Sequence, residues 1–339
     1  MDTVMKSEKS TSTLFRSAQA VVSLDLIQQP LQLVESRLRR ELRSRFEMLT
    51  PILQHGTMLG GKRMRPALVL LAANAAGEPT DDHITIATVM EMVHTATLVH
   101  DDVLDAAATR RHVPTVNAKW DSQTSILVGD YLFAQSFYLA ATLKDTLACQ
   151  WIGEAARRVC EGELRQVHSR DELDLNEENY LSIVQGKTAE LCRVACRLGA
   201  AYAGAPSEHV TALAEYGDAL GIAFQIADDY LDLWGDSERT GKTLGTDLLQ
   251  AKMTLPMIRL LETSSPQQHQ QIIQILRGPA ESRLSQLQPL LQASDARSYT
   301  KDRAQAFADQ ALQSLTALPD SPAKQLLSDF ARFAIERRF

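Results

Sequence analysis

The sequence predicts an all-α protein, a single large helical bundle around a central cavity. Three observations predict it. Apolar residues recur every three to four positions along nearly all of the chain after Leu24. The two-residue alternation of half-buried strands is nearly absent. No glycine-rich phosphate loop and no strand–helix–strand rhythm breaks the pattern, and no repeat period or low-complexity linker divides it.

Residues 1–25, rich in Ser, Thr and small residues, read as a flexible N-terminal tail, leaving 26–339 as the helical domain. The tail lacks the apolar core of a secretory signal. The first stripe is Leu31, Leu33, Val34, Leu38, Leu42 and Phe46, with Arg and Glu between. Further stripes span Ile84 to Leu104, Gln123 to Leu143, Gln150 to Val167, Tyr180 to Ala203, His209 to Leu233 and Ala304 to Leu315. Breakers separate them: Gly60-Gly61, Gly77-Glu78-Pro79, His112-Val113-Pro114, Gly235-Asp236 and Leu318-Pro319. Ile84 to Leu104 and His209 to Leu233 carry few charges until their C-terminal portions, which marks both as central, buried helices.

Composition bounds the function. Asp and Glu number 42 against 35 Lys and Arg, a net charge of −7 that opposes nucleic-acid binding. No apolar run reaches the roughly 18 residues of a membrane-spanning helix. Cys149, Cys160, Cys192 and Cys196 form no secreted-type disulfide framework, and no ligand pair accompanies Cys192 and Cys196. A reducing, cytoplasmic setting follows as the expectation.

The two apolar helices both end in a burst of acid. The first is Asp101-Asp102-Val103-Leu104-Asp105 and the second Asp228-Asp229-Tyr230-Leu231-Asp232, each an Asp-Asp-x-x-Asp motif. Positions i and i+4 stack on one helix face, so Asp101 sides with Asp105 and Asp228 with Asp232. Three carboxylates on a last turn repel one another and oppose the helix dipole. A solvated acidic face explains one such motif; two, each closing an apolar helix, point to a bound cation. All-oxygen ligands suit Mg²⁺, which keeps waters and bridges to phosphate.

Cations accompany the acids. In Gly60-Gly61-Lys62-Arg63-Met64-Arg65-Pro66, three cations precede a helix opened by Pro66, a fitting place for a phosphate. Arg110-Arg111 follows the first cluster and suits either bidentate phosphate binding or a salt bridge to those acids. Lys187-Thr188 interrupts an apolar stretch, where a Lys needs a partner. His94 lies two turns before Asp101 on the same face and reads as a core histidine or a phosphate donor. Lys242 and Lys252 follow the second cluster.

Together these stretches resemble the trans-isoprenyl diphosphate synthases, specifically the medium- to long-chain polyprenyl members. The resemblance covers the chain after its first 25 or so residues. It rests on the Gly60–Pro66 and His94–Asp105 stretches, Gly129-Asp130-Tyr131-Leu132-Phe133, Lys187-Thr188-Ala189, Gly221-Ile222-Ala223-Phe224-Gln225, the second acidic motif and the closing Ile335-Glu336-Arg337-Arg338-Phe339. It implies a homodimer that condenses an allylic diphosphate with successive isopentenyl diphosphates. Asp101, Asp102, Asp105, Asp228, Asp229 and Asp232 would hold Mg²⁺, roughly three ions with substrate bound. Lys62, Arg65, His94 and Arg111 would bind isopentenyl diphosphate. Arg110, Lys187, Thr188, Gln225, Lys242 and Lys252 would surround the allylic diphosphate, and Lys187, Thr188 and Gln225 would stabilise the carbocation. Peripheral membrane contact for product release is compatible with this reading.

The same resemblance ties product length to bulk one turn above Asp101. Aromatic rings there give short products, whereas this chain has Ala96 and Thr97, so a product of about C30 to C50 is expected over C15 or C20. Met92, Phe133 and Phe137 are candidates for a deeper floor, core packing being the plainer role for each. Three features depart from the pattern: His112 stands where glycine is usual after the paired arginines, Ala251 precedes Lys252 in place of glycine, and Ala106-Ala107-Ala108 fills a stretch usually more polar. A terpene cyclase would lack the Lys62 and Arg65 cations, and a non-catalytic partner subunit would have lost acids or cations that are all present here.

Overall fold

The computed structural model describes residues 24–58, 63–168, 173–235 and 244–336. Sixteen α-helices among them carry the architecture, with one short hairpin as the only sheet there. The helices are α1 Gln28–Glu41, α2 Thr50–Met58, α3 Met64–Ala76, α4 Asp81–Leu104, α5 Val116–Lys119, α6 Ser122–Ala140, α7 Leu147–His168 and α8 Glu177–Val184. After a π-helical turn, Gln185–Ala189, come α9 Glu190–Tyr202, α10 Ser207–Trp234, α11 Thr246–Leu249, α12 Leu255–Thr263, α13 Pro266–Arg277, α14 Ala280–Ala293, α15 Ala296–Ser314 and α16 Pro322–Glu336. The hairpin, β1 Thr109–Arg110 and β2 Val113–Pro114, joins α4 to α5.

The long, weakly charged helices α4 and α10 are central. Ile86, Val89, Met90, Val93 and Ala96 of α4 are fully buried, as are Ala223 and Ile226 of α10. One apolar cluster joins α4 to α1, α3, α6, α7, α9 and α16; a second gathers α12 to α15 around the C-terminal half of α10. The start of α4 is locked by His83, whose Nδ1 accepts from the Thr80 N–H at 2.8 Å while Nε2 donates to the Gly199 carbonyl of α9 at 3.0 Å. Both ring nitrogens are thereby used in the neutral imidazole, and burial lowers the pKa accordingly.

Two sequence expectations need correction. The stripe Leu31 to Phe46 is not one helix: α1 ends at Glu41 and Phe46 stands exposed in the following loop. The stretch Tyr180 to Ala203 is helical throughout but is divided by the π turn. Leu24 is buried and Asp25–Ile27 forms a short 3-10 turn.

The departures from glycine acquire a physical meaning. His112 (φ 65°) and Ala251 (φ 52°) occupy the left-handed region, as do Arg111 (φ 52°) and Ala106 (φ 49°). A Cβ there costs about 1–2 kcal/mol, which glycine avoids. His112→Gly is therefore expected to stabilise the chain by up to about 1 kcal/mol, after the added freedom of the unfolded state is subtracted. Equilibrium denaturation checks this; destabilisation would mean that the imidazole makes contacts worth more than the strain.

Candidate active site

Each acidic motif closes its helix as the spacing demands. Asp105 sits at the C-cap of α4, its N–H donating to the Asp101 carbonyl at 2.8 Å. Asp102 is buried and accepts from Arg110 through Nε (2.9 Å) and Nη2 (2.8 Å), both on Oδ1. Its Oδ2 is buried with no hydrogen-bond partner among the described residues. Of the two readings open for Arg110, the salt bridge is thus formed. Asp101 is half-buried; burial raises its pKa to about 6 against the pull of Lys187, with Glu163 and Asp105 adding repulsion.

Between the two motifs lies the π turn. Lys187 reaches back to α7, its Nζ lying 2.5 Å from Glu163 Oε2 and 3.8 Å from Asp101 Oδ2. The neighbouring Thr188 hydroxyl faces the other way and donates to Gln225 Oε1 of α10 at 3.0 Å. A wide turn fits there because its neighbours lack side chains: a Cβ on Gly162 would stand 2.8 Å from the Lys187 nitrogen, and one on Gly221 2.4 Å from the Ala189 Cα. Extra residues in a helical turn recur at functional sites, and this one turns two adjacent polar side chains toward two different acidic helices.

On α10, Asp229 is buried and accepts twice, from the Tyr180 hydroxyl at 2.6 Å and from Gln225 Nε2 at 2.8 Å. Burial raises its pKa to about 7, opposed chiefly by Lys252. Asp232 serves the chain that follows: its Oδ1 accepts from the Thr246 N–H (3.1 Å) and hydroxyl (2.6 Å), and its Oδ2 from the Asp247 N–H (3.1 Å). Lys252 is paired with Asp247 at 3.1 Å, and the nearby acids raise its pKa although burial opposes them. Asp228 is half-buried, and its charge opposes the lowering of the Arg111 pKa that burial and Arg110 cause. A small cavity of about 60 Å³ borders this region and is lined by Tyr180, Ile183, Lys187, Thr188, Gln225 and Lys252 among others.

The remaining cations gather around His94. Its pKa lies well below the ordinary histidine value because of burial and of Arg65, Arg111, Arg110 and Arg63, so the ring is neutral. Arg65 is buried with its Nε unpartnered among the described residues, whereas Arg63 is committed to Glu35 and, at 2.6 Å, to buried Glu91. Lys62, Lys242 and the Gly60-Gly61 pair lie outside the described residues, as do Arg337, Arg338 and Phe339.

Comparison with known proteins decides the family. Residues 46–293 match the polyprenyl synthetase family model. The chain belongs to the polyprenyl synthetase family. It is 38% identical over 295 residues to an all-trans-nonaprenyl-diphosphate synthase (geranyl-diphosphate specific) of Rhodobacter capsulatus, covering 87% of this chain and 90% of that one. It is 35% identical over 316 residues to an octaprenyl diphosphate synthase of Escherichia coli K12, covering 92% and 97%. A solved polyprenyl synthase from Caulobacter crescentus, complexed with calcium and isoprenyl diphosphate, superposes with a TM-score of 0.86 at 34% identity, covering 93% of this chain and 96% of that one. The all-α isoprenoid synthase fold and the prenyltransferase class of this family member follow.

The architecture of this polyprenyl synthetase brings together Asp101, Lys187, Thr188, Gln225 and Asp229 through successive contacts, and Arg65, Arg111 and His94 through proximity. Ala96 is fully buried in α4, and the Thr97 hydroxyl is returned to the His94 carbonyl at 2.7 Å, leaving no free polar group at either position. Met92 is fully buried, while Phe133 and Phe137 are half-buried against the same core. Four residues that hold the site in place escaped the sequence reading: Glu163, Tyr180, Glu91 and Asp247. None belongs to a motif in its own segment, and only the folded chain puts it against its partner.

The donor set fits a hard divalent ion. The motif groups are carboxylate oxygens, and no three acidic, His or Cys side chains among the described residues converge closely enough to hold a metal by themselves. Carboxylate oxygens, including the buried Asp102 Oδ2 that has no partner among the described residues, are the ligands such an ion takes, completed by water and phosphate oxygens.

Proposed function

We propose that this polyprenyl synthetase condenses an allylic diphosphate with successive isopentenyl diphosphates to an all-trans polyprenyl diphosphate of about C30 to C50, using roughly three Mg²⁺ ions per site. The observation that carries this reading is the contact path joining the two acidic helix ends through Lys187, Thr188 and Gln225. Of the six motif acids, Asp101, Asp105 and Asp228 would hold the metal. Bound there, Mg²⁺ neutralises a diphosphate and makes it a better leaving group.

The chain's own residues do the rest. Lys187 lies beside Asp101 and can shift from Glu163 to a diphosphate oxygen, and Arg110, fixed by Asp102, presents a cation at the same end. The allylic C–O bond breaks with its electron pair going to the diphosphate oxygen, leaving an allylic cation. The Gln225 amide oxygen and the Thr188 oxygen direct the negative ends of their dipoles toward it. The isopentenyl double bond, anchored through its own diphosphate by Arg65, Arg111 and neutral His94, gives its π electrons to form the new C–C bond. A proton then leaves the adjoining carbon for the departed diphosphate, restoring a double bond in a chain five carbons longer.

The absence of aromatic bulk at Ala96 and Thr97 supports the longer product. Ala96→Phe is expected to shorten the product by about one to two five-carbon units, because the added ring takes volume that a growing chain needs. Product chromatography of purified protein with Mg²⁺, isopentenyl diphosphate and farnesyl diphosphate checks both readings. Absence of any elongated product would overturn the activity, and an unchanged product with Ala96→Phe would overturn the role of that position.

A homodimer is supported by α6, where Leu127 and Tyr138 lie exposed on one side of the helix and Ile126 is exposed beside Leu127. A cytoplasmic enzyme with peripheral membrane contact at product release fits the chemistry of a long prenyl product, and no helix among the described residues is long and apolar enough to cross a membrane.

A further inference from the structure

We propose that Tyr180 and Asp229 are positioning residues that fix which way the Gln225 amide points, Asp229 serving the amide and not the metal. This rests on the prenyltransferase reading above. An amide side chain presents an acceptor at one end and donors at the other, and the two ends differ little in shape. Which end meets the reacting carbon is decided by what holds the far end.

Here the far end meets Asp229. When Asp229 is ionised, its Oδ1 accepts from Gln225 Nε2 at 2.8 Å and offers no hydrogen to an amide carbonyl. The Gln225 oxygen is thereby turned to the other side, where it accepts the Thr188 hydroxyl at 3.0 Å. The second Asp229 oxygen is taken by the Tyr180 hydroxyl at 2.6 Å, which sets the plane of the carboxylate. Tyr180 and Asp229 are both buried, so no water substitutes for either partner without cost. Both Asp229 oxygens are thus engaged by protein donors, and the relay Tyr180–Asp229–Gln225–Thr188 crosses from α8 through α10 to the π turn. At its near end two lone-pair-bearing oxygens stand where a cation forms.

Three variants test the relay. Tyr180→Phe removes only a hydroxyl and keeps the ring. It is expected to lower kcat by about tenfold while both KM values stay within about threefold, as for loss of an interaction felt in the transition state. Asp229→Asn brings a donor to the amide and is expected to lower kcat by about a hundredfold. Gln225→Met removes the amide, and in that background Tyr180→Phe is expected to cost nothing more, since its effect travels through Gln225. The metal count is read separately, as Mn²⁺ bound per chain in the presence of inorganic diphosphate by electron paramagnetic resonance; Asp229→Asn is expected to match the unaltered protein. Loss of one Mn²⁺ per chain in Asp229→Asn, an unchanged kcat in Tyr180→Phe with the fold intact by circular dichroism, or full additivity with Gln225→Met would each overturn the proposal. Failure of the unaltered protein to elongate isopentenyl diphosphate would instead overturn the activity on which it rests.

Discussion

Asp101→Ala is expected to reduce turnover by about a thousandfold or more, equivalent to roughly 4 kcal/mol of lost transition-state stabilisation. The variant removes the farther of the two carboxylates beside Lys187, at 3.8 Å, and leaves that lysine to Glu163 alone. Its fold should survive, because Asp101 is half-buried and its desolvation is a net cost in the metal-free chain. The raised pKa gives a pH signature to the unaltered protein. Between about pH 4 and 6 the folded chain holds more protons at Asp101 than the unfolded chain, so this group's contribution to metal-free stability declines as pH rises through that window. Divalent-ion affinity runs the opposite way and weakens as pH falls through about 6, because the bound ion requires the ionised carboxylate. Calorimetric titration of Mn²⁺ at pH 5 and pH 7.5 checks the second trend, and steady-state rates check the first claim. Near-normal turnover in Asp101→Ala would remove this carboxylate from the chemistry.

Gly162→Ala is expected to destabilise the chain by about 1–3 kcal/mol and to lower kcat by about a hundredfold. The new methyl would press on backbone, 2.8 Å from the Lys187 nitrogen and 3.2 Å from the Gly186 carbonyl carbon, and backbone in a packed turn yields only by moving the turn. Lys187 and Thr188 would then leave their places between Glu163, Asp101 and Gln225. Gly153→Ala on the same helix is the control. Its Cβ would approach nothing nearer than 3.9 Å, so it should be neutral or stabilising by up to about 1 kcal/mol through helix propensity. Thermal unfolding and steady-state kinetics on the pair separate a packing effect from a general intolerance of α7 to substitution.

The contrast between those two glycines shows what the sequence made legible and what it hid. The all-α class, the central helices α4 and α10 and the acidic turns at their ends follow from periodicity and from where the charges fall. Those signals are local, and they survive because an Asp at i and another at i+4 share a face whatever lies opposite. The π turn is different. Five residues, Gln185–Ala189, depart from the helical period, and no window that short distinguishes a widened turn from a regular one. Its cause lies elsewhere, in Gly162 and Gly221 on two other helices. The same holds for Glu163, Tyr180 and Glu91, whose importance is set by partners in distant segments. Arg63 shows the reverse case: one motif places it with Lys62 and Arg65, yet its guanidinium is spent on Glu35 and Glu91 and ties α3 to α1 and α4. His112 and Ala251 were visible as departures from a pattern, and the backbone angles supply the reason that glycine is favoured at both positions.

The most direct test is a crystal structure with Mn²⁺ and a non-cleavable allylic thiodiphosphate, read by anomalous scattering. Mn²⁺ peaks are expected between the diphosphate and the carboxylates of Asp101 and Asp105 on one side and of Asp228 on the other, with Lys187 drawn onto the diphosphate. A diphosphate bound away from both helix ends, or metal peaks confined to one of them, would contradict this arrangement.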